Sequence, residues 1–181
     1  DLITDEMMQD EKYSEQYAEI YGQALCMKAT CYRELIKYYG DVMYVFSLND
    51  VPTKFTSRLD IYDKLIADLT IAKELCPELT ASNKTKFTKQ YAYAQLGRIA
   101  MEAASYQTYR LDVTDASRLE KHPDYTDINN ATYARPTNYK SYYDIAYDAF
   151  KYVAENPGGA KFDAYNYSTF FTQLHALDGS V

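Results

Sequence analysis

The sequence predicts an all-α fold with at least four helices. Apolar residues recur every three to four positions in four segments, and residues that start or stop helices stand at the ends of most of them. The segments lie near residues 11–39, 58–75, 88–109 and 139–155. The chain has 181 residues, of which 47% are hydrophobic and 25% charged, which is ordinary for a globular protein of one domain or two small ones.

The first helix carries two adjoining apolar stripes. One consists of Tyr17, Ile20, Ala24, Met27, Cys31, Leu35 and Tyr38, and the other of Tyr21, Leu25, Tyr32, Ile36 and Tyr39. Two stripes side by side predict burial around more than half of the helix, so we expect this helix to be the most buried. Replacement of Leu35 by alanine is then expected to cost about 2 to 5 kcal/mol. Gly40 is predicted to close the helix in the left-handed conformation.

Local signals also bound the other helices. Ser57 is a predicted N-cap and Pro77 a stop for the second helix, and Thr88 is a predicted N-cap for the third. The third helix has a face of small residues, which would let a neighbouring helix approach closely: Ala92, Leu96, Ile99, Ala100 and Ala103, with Gly97 beside them. Residues 111–138 lack periodicity and read as a long insertion before the fourth helix.

Charge and cysteine content exclude some functions. The net charge is −7 and basic residues do not cluster, which argues against nucleic acid or an anionic lipid surface as the main partner. Cys26, Cys31 and Cys76 are an odd number, and neither a disulfide framework nor a metal site follows from their spacing. All three are on or next to apolar stripes, which favours the interpretation that they are small buried hydrophobic residues.

Catalytic motifs are missing from the sequence. It has two histidines, no glycine-rich phosphate loop, no nucleophile elbow and no paired-histidine zinc motif, so we expect no enzymatic activity and no cofactor. Asp124, Asp127 and Asn129 carry oxygens that suit calcium, but they lack the spacing and the glycine of an EF-hand loop. A solvated acidic loop is the favoured interpretation, and no metal site is predicted.

Several segments, in order, resemble the SusD/RagB family of outer-membrane nutrient-binding lipoproteins. The first is the helix end Lys37-Tyr38-Tyr39-Gly40-Asp41-Val42, although Met43 stands where the family usually has proline. The others are Arg58 to Leu69 with Ala72 to Pro77, the small-residue helix within Thr85 to Tyr106, and the stretch Phe162 to Phe171. The resemblance implies tetratricopeptide-like antiparallel helix pairs in a single SusD-like helical domain over residues 1–181, with the insertion at about 111–138.

The resemblance also implies a function and a location. Members capture oligosaccharides at the cell surface and deliver them to a TonB-dependent (SusC-like) outer-membrane transporter. They carry a signal and a lipid-anchor cysteine, which this sequence does not contain, so we expect the 181 residues to be an interior fragment attached to the membrane only through that anchor. No run approaches the roughly twenty apolar residues of a membrane-spanning helix.

A sugar-binding protein needs aromatic faces for pyranose rings and polar groups for hydroxyls. The insertion offers both, and the predicted ligand-binding residues are Tyr125, Asn129, Tyr133 and Arg135. The alternative is that these tyrosines only pack the loop against the helices. A second function, based on the helices alone, is a tetratricopeptide-like scaffold that binds a peptide or protein partner in a tyrosine-lined groove.

Overall fold

Four helices form the described part of the protein. The computed structural model describes residues 9, 14–45, 47, 49–80, 82–108, 125–126, 132–133 and 139–158. The helices are α1 (Ser14–Tyr39), α2 (Arg58–Leu75), α3 (Lys89–Thr108) and α4 (Tyr139–Glu155). Their bounds agree with the predicted segments to within one residue wherever the chain is described, which confirms the all-α prediction.

Besides the helices, the described residues contain a two-stranded ribbon and a single antiparallel β-bridge between Val42 and Thr56. Strands β1 (Tyr125–Thr126) and β2 (Thr132–Tyr133) pair antiparallel, with Tyr125 opposite Tyr133 and Thr126 opposite Thr132. Both strands fall within the predicted insertion, and each is only two residues long. The rest of that insertion lies outside the described residues.

The helix ends follow the local chemistry of the sequence. The Ser57 hydroxyl accepts a hydrogen bond from the backbone N–H of Leu59 at 3.2 Å, and the Thr88 hydroxyl accepts one from Tyr91 at 3.3 Å. Gly40 has a φ of 75°, and its N–H donates to the Ile36 carbonyl at 2.9 Å. A positive φ of this kind is readily adopted by glycine, and the predicted cap at Gly40 is therefore confirmed.

Helices α1 and α2 run antiparallel. Gly22, near the start of α1, lies against Leu75 at the end of α2, and the Lys28 ammonium pairs with the Asp68 carboxylate at 2.9 Å one and a half turns further along α1. At the other end, the Asp41 carboxylate accepts a hydrogen bond at 2.9 Å from the backbone N–H of Arg58, the first residue of α2. The contacts therefore join opposite ends of the two helices, as in an antiparallel helix pair.

Helix α3 runs antiparallel to α2. At one end the Lys73 ammonium lies 5.1 Å from the ring centre of Tyr93, and at the other the Arg58 guanidinium lies 4.5 Å from that of Tyr106. Helix α3 also contacts α1. Successive antiparallel neighbours, with the first and third helices in contact, are the arrangement expected for tetratricopeptide-like pairs.

The α3–α4 contact is close because α3 contributes small residues. A Cβ atom placed on Gly97 would lie 2.8 Å from the Phe150 ring, so only glycine fits there without a shift of that ring. One turn nearer the start of α3, the rings of Tyr93 and Tyr152 stack with their centres 3.8 Å apart. These pairs also show that α3 and α4 are antiparallel, and they confirm the predicted close approach on α3.

The core lies between α2, α3 and the inner face of α1. Its most enclosed large side chains come from α2 and α3: Ile61, Leu65, Leu69 and Ile99. Helix α3 contributes the longest buried run, which includes Ala92, Leu96, Ala100, Ala103 and Ala104. It is the most enclosed helix because it has α2 on one side, α4 on another and α1 along part of its length.

The prediction that α1 is the most buried helix was wrong. The first of the two stripes that were predicted to be buried is largely exposed. We call its exposed residues the outer face of α1: Ile20, Ala24, Met27, Cys31, Leu35 and Tyr38. Leu35 is 41% exposed, so the large loss expected for its replacement by alanine no longer follows. Helix α1 has described neighbours on one side only, and that side buries Leu25, Cys26, Ala29 and Ile36. The interpretation of Cys31 as a buried residue was wrong for the same reason.

Candidate functional site

The predicted ligand-binding residues are only partly described. Asn129 and Arg135 lie outside the described residues. The backbones of Tyr125 and Tyr133 are directly opposed in the β1–β2 ribbon, so the structure brings these two positions together. The ligand-binding role of all four residues stays a prediction.

A polar and aromatic groove lies between α1, α2 and α3. It is open to solvent, has a volume of about 340 Å³, and is called the α1–α3 groove below. Its lining residues are Arg33, Lys37, Tyr62, Glu102, Ser105 and Tyr106. They bring together a guanidinium, an ammonium, a carboxylate, an aliphatic hydroxyl and two phenols.

Helical spacing places these side chains around the groove. Arg33 and Lys37 are one turn apart on α1, and Glu102 and Tyr106 are one turn apart near the end of α3. Tyr62 comes from α2 between them and is buried. Because α1 and α3 both pack on α2, the polar edges of α1 and α3 face each other across Tyr62.

The central contact of the groove is an ion pair between Arg33 and Glu102. The Arg33 Nε donates to Glu102 Oε1 at 2.8 Å, and its terminal nitrogen Nη2 makes a second contact with the same oxygen. The other terminal nitrogen donates to Glu34 at 3.1 Å. The Arg33 side chain is largely buried, so these contacts hold the guanidinium in one orientation.

Tyr62 stays protonated well above neutral pH. Burial raises the pKa of its phenol to about 12, and the negative charge of Glu102 acts in the same direction, against the opposing charges of Arg58 and Arg33. At physiological pH, Tyr62 is therefore a neutral phenol. In that form it can donate one hydrogen bond as well as accept.

Two exposed aromatic rings follow the groove residue Lys37 at the end of α1. Tyr38 follows Lys37 and is 71% exposed, and the Lys37 ammonium lies 5.2 Å from the centre of its ring. Tyr39 is exposed as well. An exposed ring next to fixed hydrogen-bonding groups is the combination that suits a polyhydroxylated ligand.

Sequence reasoning missed this groove. Tyr38 was assigned to the buried stripe. The one local signal was that Tyr38 and Tyr39 directly follow Lys37 in the last turn of the helix. Glu102 could not be connected with Arg33 from the sequence, because the two residues are 69 positions apart.

A sequence model of the SusD-like_3 family matches residues 1–101, which is more than half of the 181-residue chain. The chain belongs to the SusD-like family. This confirms the resemblance, and the family is described as starch-binding and associated with the outer membrane. No match was found among curated proteins or among solved structures.

The SusD-like match and the groove overlap in part. The match covers α1, α2 and most of α3, and it includes Arg33, Lys37 and Tyr62 of the groove. Glu102 and Tyr106 lie just beyond it, as do the ribbon and α4. None of the helices described for this SusD-like chain has the length and apolar character of a membrane-spanning segment.

Proposed function

We propose that this SusD-like protein is a surface lipoprotein that captures oligosaccharides and delivers them to a TonB-dependent outer-membrane transporter. The observation that carries the proposal is the match over residues 1–101 to a family described as starch-binding and associated with the outer membrane. In this proposal residues 1–181 form one helical domain of a longer protein. The lipid anchor and the transporter come from the resemblance noted in the sequence.

The chemistry of the groove supports binding without cleavage. Arg33 and Glu102 are engaged with each other, and Tyr62 is kept as a neutral phenol, so the groove presents fixed hydrogen-bonding groups. Tyr38, whose ring contacts the Lys37 ammonium, adds an exposed aromatic face beside the groove. Stacking on such a face, together with hydrogen bonds to hydroxyls, gives moderate affinity without any bond being broken.

Two places on the protein suit the sugar. The first is the insertion, where Tyr125, Asn129, Tyr133 and Arg135 are the proposed ligand-binding residues, and the direct opposition of Tyr125 and Tyr133 in the ribbon supports a joint role. The second is the α1–α3 groove, with Tyr38 beside it on the far side of Lys37. We place the sugar first on the insertion and treat the groove as the competing location.

Titration calorimetry tests the activity. We expect the purified protein to bind malto-oligosaccharides, or another glycan of a polysaccharide panel, with a Kd in the micromolar-to-millimolar range, about −4 to −8 kcal/mol. Chromatography of the same mixtures should show intact glycan after long incubation. Release of shortened products, or no binding across the panel, would contradict the proposal.

Paired variants locate the binding site. Tyr125→Ala with Tyr133→Ala should abolish binding if the insertion holds the sugar, whereas Tyr38→Ala should do so if the groove does. Tyr147→Ala is the matched control, because Tyr147 is an exposed tyrosine of α4 that lines neither place. Melting temperatures equal to that of the unmodified protein would show that any loss is local.

The delivery step and the location need experiments in cells. We expect the protein to sediment with the outer membrane and to be digested by protease added to intact cells. We also expect a TonB-dependent transporter to co-purify with it after gentle detergent extraction. Recovery of the protein in the cytoplasmic fraction would contradict the proposed location, whatever its sugar affinity.

One observation favours a second function, a scaffold for a peptide or protein. The outer face of α1 is an exposed stripe of apolar side chains that includes Met27 and Leu35, and such stripes often mark contact surfaces. Specific capture of a peptide, with no glycan bound across the panel, would favour this scaffold over the capture protein.

A further inference from the structure

Two cysteines that are far apart in the sequence meet in the core. Cys26 belongs to α1 and Cys76 follows the last residue of α2, fifty positions later. Their sulfur atoms are 3.8 Å apart, and the residues are 0% and 5% exposed. The two thiols therefore face each other across the α1–α2 contact, away from solvent.

The backbone packing around them is unusually close. A Cβ atom placed on Gly22, one turn before Cys26, would lie 3.0 Å from the Leu75 Cβ and 3.2 Å from the backbone nitrogen of Cys76. Glycine at this position lets the end of α2 rest directly on α1. Short side chains such as cysteine can then meet without any change in the helix backbones.

We propose that Cys26 and Cys76 are a disulfide-forming site that covalently joins α1 to the end of α2. A disulfide bond is about 2.05 Å long, so the two sulfurs need to approach by about 1.8 Å. Rotation about the two Cα–Cβ bonds moves the sulfurs on this scale. A protein associated with the outer membrane lies outside the reducing cytosol. Disulfides form and persist in such an oxidising environment.

The two thiols are not equivalent, which suggests an order of events. The hydrogen bond between the two sulfurs lowers the pKa of Cys76, whereas the same bond and burial raise the pKa of Cys26. The Cys76 thiolate is thus the better nucleophile.

The oxidant in this proposal is a small-molecule or protein disulfide. When local opening at the end of α2 exposes Cys76, its thiolate attacks one sulfur of that disulfide and displaces the other as a thiolate, which leaves a mixed disulfide on Cys76. The Cys26 thiol then loses its proton, and its sulfur attacks the Cys76 sulfur and displaces the second thiolate. Two protein thiols are oxidised, and one external disulfide is reduced to two thiols.

Cys31 provides an internal control. It lies on the same helix as Cys26 but on the exposed outer face of α1. It is therefore the most accessible of the three thiols for alkylating reagents. Because it points away from the core, it is not placed to form a disulfide with Cys26 or Cys76. A redox effect caused by indiscriminate surface oxidation would involve Cys31 first.

Trypsin makes the link directly measurable, because each cysteine falls in its own peptide. Cleavage after lysine and arginine gives residues 13–28 with Cys26, 29–33 with Cys31 and 74–84 with Cys76. The protein is treated with oxidised glutathione, alkylated in denaturant at acidic pH and digested without reductant. We expect a linked 13–28/74–84 peptide that is two hydrogens lighter than the sum of its parts, with Cys31 alkylated or glutathionylated.

Variants and reductant complete the test. Cys31→Ala should keep the linked peptide, and reductant should lower the melting temperature of this variant. The double variant Cys26→Ala and Cys76→Ala should show no such response to reductant. Alkylation of both Cys26 and Cys76 after the oxidant treatment, or a linked peptide that contains Cys31 instead of either one, would overturn the proposal. Since the peptide map is read on the unmodified protein, the result does not depend on the variants folding.

Discussion

Helix α3 and the outer face of α1 have the same type of apolar pattern but opposite surroundings. On α3, the residues at helical spacing from Ala92 to Ala103 are enclosed, because α2 and α4 pack on both sides. On α1, an equally regular stripe that includes Met27, Leu35 and Tyr38 is exposed. Periodicity thus identifies residues that share a face, but it does not reveal whether another element covers that face.

The size of the side chains separates the two faces better than their hydrophobicity. The enclosed face of α3 is mostly alanine, with Gly97 against Phe150, and such residues have little reason to be there unless a backbone comes close. The outer face of α1 is made mostly of larger side chains that tolerate partial exposure, namely Ile20, Met27, Leu35 and Tyr38. Small residues at helical spacing were therefore the better predictor of burial in this chain.

The largest expected effect is at the centre of α3. Ile99 is fully buried, so Ile99→Ala should lower the free energy of unfolding by about 2 to 5 kcal/mol through lost burial and the cavity that remains. Urea denaturation measures the loss. Met101→Ala, at an exposed position of the same helix, is the control and should cost less than about 1 kcal/mol. Similar losses for both variants would remove the distinction between the two faces.

A second prediction concerns Tyr62, which forms the inner side of the α1–α3 groove. Its pKa is about 12 in the folded protein, compared with an ordinary value of 10.0, so the folded state holds its proton more tightly than the unfolded state. The stability that depends on this proton is complete below pH 10 and is lost as the pH rises from about 10 to about 12. The loss should be about 2 to 3 kcal/mol at 1.36 kcal/mol per pKa unit.

Comparison with Tyr62→Phe isolates this contribution, because phenylalanine has no proton to lose. Unfolding free energies of both proteins are measured in urea at several pH values between 8 and 12. The gap between the two curves should change in favour of Tyr62→Phe as the pH rises, whatever other groups titrate. A constant gap would mean that Tyr62 is open to solvent and that the groove lacks an enclosed inner side.

The third prediction concerns Gly40, the residue that follows the last residue of α1. Gly40 has a φ of 75° and is buried, and a side chain there would also meet the Arg58 guanidinium. Gly40→Val should lower the free energy of unfolding by at least about 1 kcal/mol, since a β-branched residue adopts the left-handed conformation poorly. Gly40→Asn should cost less, because asparagine tolerates that conformation better. An unchanged melting temperature for Gly40→Val would refute the cap.

The features that could be predicted from the sequence depend on interactions between residues that are close together in the chain. The caps at Ser57 and Thr88, the stop at Pro77 and the glycine at position 40 act through bonds within a few residues, and the helix bounds followed from them. The close approach on α3 followed because Gly97 and its neighbours are small.

What could not be predicted depends on residues that are distant in the sequence. The packing of the helices on one another decides whether α1 is covered. It also decides whether Arg33 contacts Glu102 and whether Cys26 contacts Cys76. The spacing of residues along one helix does not indicate which residues fifty or more positions away they contact. The ligand-binding roles of Asn129 and Arg135 remain predictions for a related reason, because they fall in a segment without helical periodicity and outside the described residues.

The smallest expected effect is on the outer face of α1, where two adjacent residues make a direct comparison. Leu35 is 41% exposed whereas Ile36 is buried on the inner face of the same turn. Leu35→Ala should therefore cost less than about 1 kcal/mol, because its side chain loses little burial. Ile36→Ala should cost about 2 to 5 kcal/mol. Both variants keep a good helix former at the position, so the difference between them reports burial alone.

The same pair also shows whether something covers the outer face in the whole protein. Unfolding free energies are measured by urea denaturation for both variants and for the unmodified protein. A small loss for Leu35→Ala beside a large one for Ile36→Ala would mean that α1 is packed on one side only. Equal losses would mean that part of the protein outside the described residues packs on Leu35, since a leucine that loses little burial cannot cost as much as a buried isoleucine.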